Sequence, residues 1–199
     1  KEPIFKLAIG DFHLGISSLI TAAVLGVALG LVAIAFTKAL EVFVRELPQR
    51  IPLPALGPVW AAVFLFILGC FMPSVLGTGI DFVQSLFTTR HATLLLLLLL
   101  LAKFPATGVS VALRFYGGLF APRLVIGAIV GAIFGNILLA TPFASIPDIQ
   151  TSINAFPVIS AFAVASALVG APFAAAIIIL EMTQSYQVAS LGFSTCVIT

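Results

Sequence analysis

Charge is the scarcest commodity in this chain. Only 8% of its 199 residues are charged, nine basic and seven acidic, against about 25% in a soluble domain. A water-facing surface cannot be built from so few ions, so most of the outside must meet lipid or other protein. The net charge of +2 gives no footing for nucleic acid. Cysteine is nearly absent. Cys70 and Cys196 lie in separate apolar stretches, which excludes a disulfide framework and leaves two buried free thiols as the expectation. Histidine is as rare, and His13 and His91 each fall at the edge of an apolar block, where interfacial placement is expected. No His-Glu-x-x-His pair, Gly-x-Ser-x-Gly elbow or Walker loop occurs. Paired carboxylates for acid–base work are lacking too. These absences leave no catalytic residue, metal site or cofactor to name, and an enzyme is disfavoured.

What the chain has is hydrophobicity: 61% apolar residues, mean hydropathy +1.26 and 18 phenylalanines. Ile16 to Phe36 runs 21 residues without a charge, enough to cross a hydrocarbon core of ~30 Å at ~1.5 Å per residue. The block extends from about Leu14 to Val44, and its amphipathic end, Lys38 to Glu46, reads as the same helix emerging into the interface. Pro48, Pro52, Pro54 and Pro58 are expected to break the chain. Val59–Met72 is short for a perpendicular span, so a tilted or partly re-entrant helix is expected.

After a flexible loop from Pro73 to Gly79, Asp81–His91 reads as a short interfacial helix. A leucine-rich block from Thr93 runs through Lys103 to Leu113. Further apolar blocks cover Leu124–Ala140, Ala155–Val169 and Phe173–Met182, and a last one begins at Val188. Asp81 and Asp148 are read as solvated loop residues. No strand-like alternation is present, which disfavours an outer-membrane barrel. The fold class is therefore all-α integral membrane, with tilted and broken helices of the kind transporters use around ions. The opening residues are not a signal peptide. With no initiator Met, and Thr199 inside an apolar segment, the chain reads as a piece of a longer protein, one transmembrane unit over residues 1–199.

Small residues recur every fourth position at Gly127, Gly131 and Gly135, and again at Ala22, Gly26 and Gly30. Each set makes a smooth groove on one helix face, suited to close packing where lipid removes the hydrophobic drive.

The most informative segment is Tyr116-Gly117-Gly118-Leu119-Phe120-Ala121-Pro122. Two glycines and a proline interrupt the chain before a long apolar run, and a helix can start there. Its first N–H groups would lack intrahelical acceptors, and a helix N-terminus carries about half a positive charge. A small anion would satisfy both. Gly117 and Gly118 permit unusual backbone angles and close approach, and Pro122 suits the first helical turn. Read without a ligand, the same residues are a helix-initiating turn.

Gly117-Gly118-Leu119-Phe120-Ala121-Pro122, with the Gly127/Gly131 spacing, resembles the Gly-Gly-x-Phe-x-Pro signature of the CLC chloride channels and chloride/proton antiporters. Ala171-Pro172-Phe173 and Leu180 to Tyr186 are similar to a second stretch of that family. The resemblance implies the carboxy-terminal half of a CLC membrane domain, one half of an inverted repeat, transporting chloride or a similar monovalent anion. It implies that the amides of Leu119 and Phe120 coordinate the ion, with Gly117, Gly118, Ala121 and Pro122 shaping the turn. A homodimer with the Glu181 segment toward its interface is implied, and protons as a second partner if the protein is an exchanger. The family's serine loop, gating glutamate and pore tyrosine have no counterpart in this segment.

The family often has Ser-Gly-x-Pro ahead of the glycine pair, where Leu113-Arg114-Phe115-Tyr116 stand here. Arg114 and Arg123 are thus candidate vestibule charges that would concentrate anions; contact with lipid headgroups or carbonyls is the competing reading. Lys103 and Glu181 are opposite charges embedded in apolar sequence, for which mutual pairing, carbonyl capping by Lys103 and snorkelling all stand open. A non-transporting membrane scaffold, its glycines used only for packing, is the alternative function.

Overall fold

The computed structural model describes residues 16–51, 54–77, 79–115, 117–142 and 153–199. His13, Thr78, Tyr116 and Asp148 lie outside them. Every regular element among the described residues is helical. α1 spans Ile16–Arg50, α2 Gly57–Phe71, α3 Ile80–Thr88, α4 Thr93–Ala112 and α5 Phe120–Leu139. α6 spans Phe156–Val169, α7 Pro172–Thr183 and α8 Tyr186–Ile198, and short 3-10 turns occupy Pro54–Leu56 and Pro73–Val75. Among the described residues three helices, α1, α4 and α5, are long and apolar enough to cross a membrane. The chain is an integral membrane protein with broken and short helices between its long ones.

Several boundaries differ from expectation for local reasons. α1 runs through Pro48 and stops two residues later at Arg50: the proline takes one hydrogen bond from the last turn and crowds the carbonyl four residues back, so the helix ends within a turn of it. Pro58 instead lies in the first turn of α2, a position where its missing N–H costs nothing. α5 starts at Phe120, four residues before the uninterrupted apolar run at Leu124. Asp81 lies in the first turn of α3, where a carboxylate favours the helix dipole. α2 has only fifteen residues, about 22 Å, in keeping with its reading as too short for a perpendicular span.

α6 is the centre of the bundle. Its residues Phe156 to Ser166 are buried on every side, as expected for a helix apolar all round. α5 lies against it along the glycine stripe. A Cβ at Gly127 would strike the Ser160 carbonyl and come within 2.8 Å of the Ala161 Cα, and one at Gly131 would meet Ser160 and Phe156. The second stripe seats α1 on α8: a Cβ at Gly26 would come within 3.0 Å of Ile198 Cβ. One core joins α1, α6, α7 and α8 around Leu25, Phe156 and Leu191. Another joins α3, α4 and α5 around Leu96 and Ile129.

Two expectations about embedded residues are corrected. Cys70 is exposed while Cys196 is buried, because α2 packs on α4 and leaves its other faces uncovered. Glu181 is exposed, because only one side of α7 meets the bundle and Phe173 and Ile177 share its outward face.

Candidate anion-binding site

α4 ends in a reversal that sets up everything after it. The Phe115 N–H donates to the Ser110 carbonyl at 2.9 Å and the Arg114 N–H to that of Val111 at 3.2 Å. This is the Schellman pattern, which needs a left-handed residue. That residue is Arg114, with φ of 59°, at the place where the resembled family often has glycine. A non-glycine residue there bears roughly 1–2 kcal/mol of strain. Gly117 and Gly118 permit left-handed angles, but neither has positive φ. The turn is made three residues earlier, at Arg114, so the glycine pair has no need of it. A Cβ on either glycine would meet nothing within 4 Å. Their use is openness.

That open space is a cavity of about 290 Å³. Gly117, Gly118, Leu119, Ala121 and Pro122 line it on one side of the sequence, and Lys103, Thr107, Ser110 and Phe115 on the other, with Val75 to Gly77 and Leu65 completing it. α5 begins at this cavity. Leu119 is its N-cap, with helical angles and no side-chain cap bonded to the first turn. Of the four amides that an N-terminus leaves without intrahelical acceptors, Pro122 removes its own. Leu119, Phe120 and Ala121 carry the rest.

The structure brings five of the eight sequence-selected residues to the cavity wall. Phe120 is the first residue of α5 and its side chain is half exposed. Arg114 and Arg123 are not among the lining residues. Arg114 instead lines a separate groove of about 190 Å³ with Pro48, Ile51, Ala55 and Gly57. Arg123 is partly buried, with its Nε without a partner.

Lys103 was legible as a lone charge in a leucine run, but its destination was not. It is 3% exposed and its Nζ donates to the Val75 carbonyl at 2.7 Å and to that of Gly77 at 3.1 Å. Of the three open readings, carbonyl capping is the one observed. The acceptors lie 26 and 28 positions away, and no local pattern announces such a contact.

A family profile described as "Voltage gated chloride channel" matches residues 1–199. The chain belongs to this family. Among curated relatives, the H(+)/Cl(-) exchange transporter ClcA of Klebsiella pneumoniae is 29% identical over 130 residues, covering 65% of this chain and 27% of the relative. The chloride channel protein CLC-e of Arabidopsis thaliana is 29% identical over 203 residues, covering 94% of this chain and 28% of the relative. The chain thus spans under a third of either. Its fold is similar to a slow cyanobacterial Cl-/H+ antiporter, with a TM-score of 0.75 and 22% identity over 98% of this chain and 44% of that one. In this voltage gated chloride channel family member, the glycine-rich break and the uncapped start of α5 meet at the cavity.

Proposed function

We propose that the protein containing this chain moves chloride, or a similar monovalent anion, across a bilayer. The observation that carries the reading is the uncapped N-terminus of α5 opening on a cavity. An anion there accepts hydrogen bonds from the amides of Leu119 and Phe120. Gly117 and Gly118 leave room for it, and Ala121 and Pro122 complete the turn. Amide dipoles hold an ion without a full opposite charge, and a transport site must also release what it binds. Chloride is cargo, and the site calls for no resident cofactor.

The chain serves as one half of an inverted-repeat transport domain, a reading supported by its coverage of 44% of the antiporter's chain. Two copies of the full protein pair as a homodimer with the Glu181 segment toward the interface. The exposed Phe173 and Ile177 on the same helix support that placement. The relatives named as exchange transporters favour proton coupling, while the relative named as a channel favours simple permeation.

Chloride efflux from liposomes containing the full-length protein tests the function. Efflux above that of empty liposomes is expected; its absence in folded protein leaves the scaffold reading. Reversal potentials under crossed chloride and pH gradients separate exchanger from channel.

A further inference from the structure

Among the described residues that line the cavity at the start of α5, Lys103 is the one ionisable group. Its two described partners are carbonyls of the Val75–Gly77 turn, and that turn is itself cavity wall. Carbonyl dipoles solvate an ammonium but leave its charge uncancelled. No carboxylate lines the cavity among the described residues. Burying a cation in apolar surroundings is costly unless it is paired or serves an ion pathway. The other lining side chains are mainly apolar, with Thr107 and Ser110 the hydroxyl exceptions. Field lines from a charge in such a wall are poorly screened and converge in the open space.

We infer that Lys103 is a positioning residue for the transported anion, with two linked roles. Its ammonium clamps the Val75–Gly77 turn as a wall of the cavity. The same charge adds a fixed positive potential to that of the α5 amides, raising the affinity for a monovalent anion. The inference rests on the reading of this cavity as the anion site. A purely structural lysine would need only its hydrogen bonds, so charge and clamp can be separated.

The test measures sodium chloride binding by calorimetry and chloride efflux, both on the full-length protein. Lys103→Gln keeps N–H donors for the carbonyls and loses the charge. Lys103→Arg keeps both. Thr107→Glu places a carboxylate one helical turn from Lys103, on the same wall, and neutralises the ammonium without removing it; Thr107→Gln is its size control. Lys103→Gln and Thr107→Glu are expected to weaken chloride binding at least tenfold, the low end of the roughly 10- to 1,000-fold that one unit charge supplies at about 12 to 4 Å and an effective dielectric near 20. Lys103→Arg should stay close to wild type, and the weakening in Thr107→Glu should exceed that in Thr107→Gln, the excess being the effect of the charge. If Lys103→Gln does not fold, the Thr107 pair decides. Wild-type affinity in folded Lys103→Gln, or equal affinity in Thr107→Glu and Thr107→Gln, overturns the inference. Failure of the wild-type protein to bind or pass chloride would instead overturn the reading of the cavity itself.

Discussion

The glycines of this chain fall into two physical classes, and alanine substitutions should separate them. A methyl group at Gly127 would lie against the Ser160 carbonyl and 2.8 Å from the Ala161 Cα. Optimal carbon–carbon separation is about 3.5–4.0 Å. Both obstacles are backbone of α6, which has buried neighbours on every side and cannot step aside. α5 and α6 must therefore part by about 1 Å, losing contacts along the whole stripe. Overpacking of this kind costs about 1–3 kcal/mol. At Gly117 and Gly118 the same methyl group meets nothing within 4 Å, and neither backbone is left-handed. Stability there should hold within about 0.5 kcal/mol, while chloride flux falls because the methyl group occupies the ion's space. Thermal unfolding of detergent-solubilised full-length protein, paired with liposome efflux, reads both quantities. Gly127→Ala that unfolds with wild-type stability, or Gly117→Ala and Gly118→Ala that lose as much stability as Gly127→Ala, would refute the division.

Arg114→Gly should stabilise the protein by about 0.5–1 kcal/mol, since glycine takes the left-handed angle without strain. Arg114→Ala should bring no such gain, and comparing unfolding midpoints checks both. Asn136 donates to the His91 carbonyl at 3.0 Å and to Thr93 Oγ1 at 3.2 Å, tying α5 to the start of α4; Asn136→Ala should cost about 1–2 kcal/mol in the same melts. Phe36 is fully buried and packs edge-on to Phe104 with ring centroids 5.2 Å apart. Phe36→Ala should cost about 3–5 kcal/mol, and a loss below 1 kcal/mol would mean that α1 does not pack on α4 as described.

Much of this architecture was legible in the sequence because bilayers impose one-dimensional rules. Apolar run length placed the long helices, and the four-residue glycine period found the face of α5 that meets α6. The Gly117–Pro122 break identified the start of α5 because proline and uncapped amides have local consequences. Long-range contacts were not legible. Lys103 reaches carbonyls on a distant turn, and only the fold puts them together. Arg114 was noticed for its charge, but its importance to the structure is its backbone angle, which follows from how α4 terminates. Glu181 and Cys70 looked embedded because their neighbours in sequence are apolar, yet each faces outward from a helix that touches the bundle on one side.

In the proposed site, backbone amides at the start of α5 hold the anion. Replacing the peptide N–H of Phe120 with an ester oxygen tests it most directly, because the side chain and charge stay unchanged. A hydrogen bond to an ion contributes about 1.5–3 kcal/mol, so chloride should bind roughly 10- to 100-fold more weakly to the ester-containing protein, with efflux altered in parallel. Wild-type chloride affinity in a folded ester variant would mean that the Phe120 amide does not hold the ion.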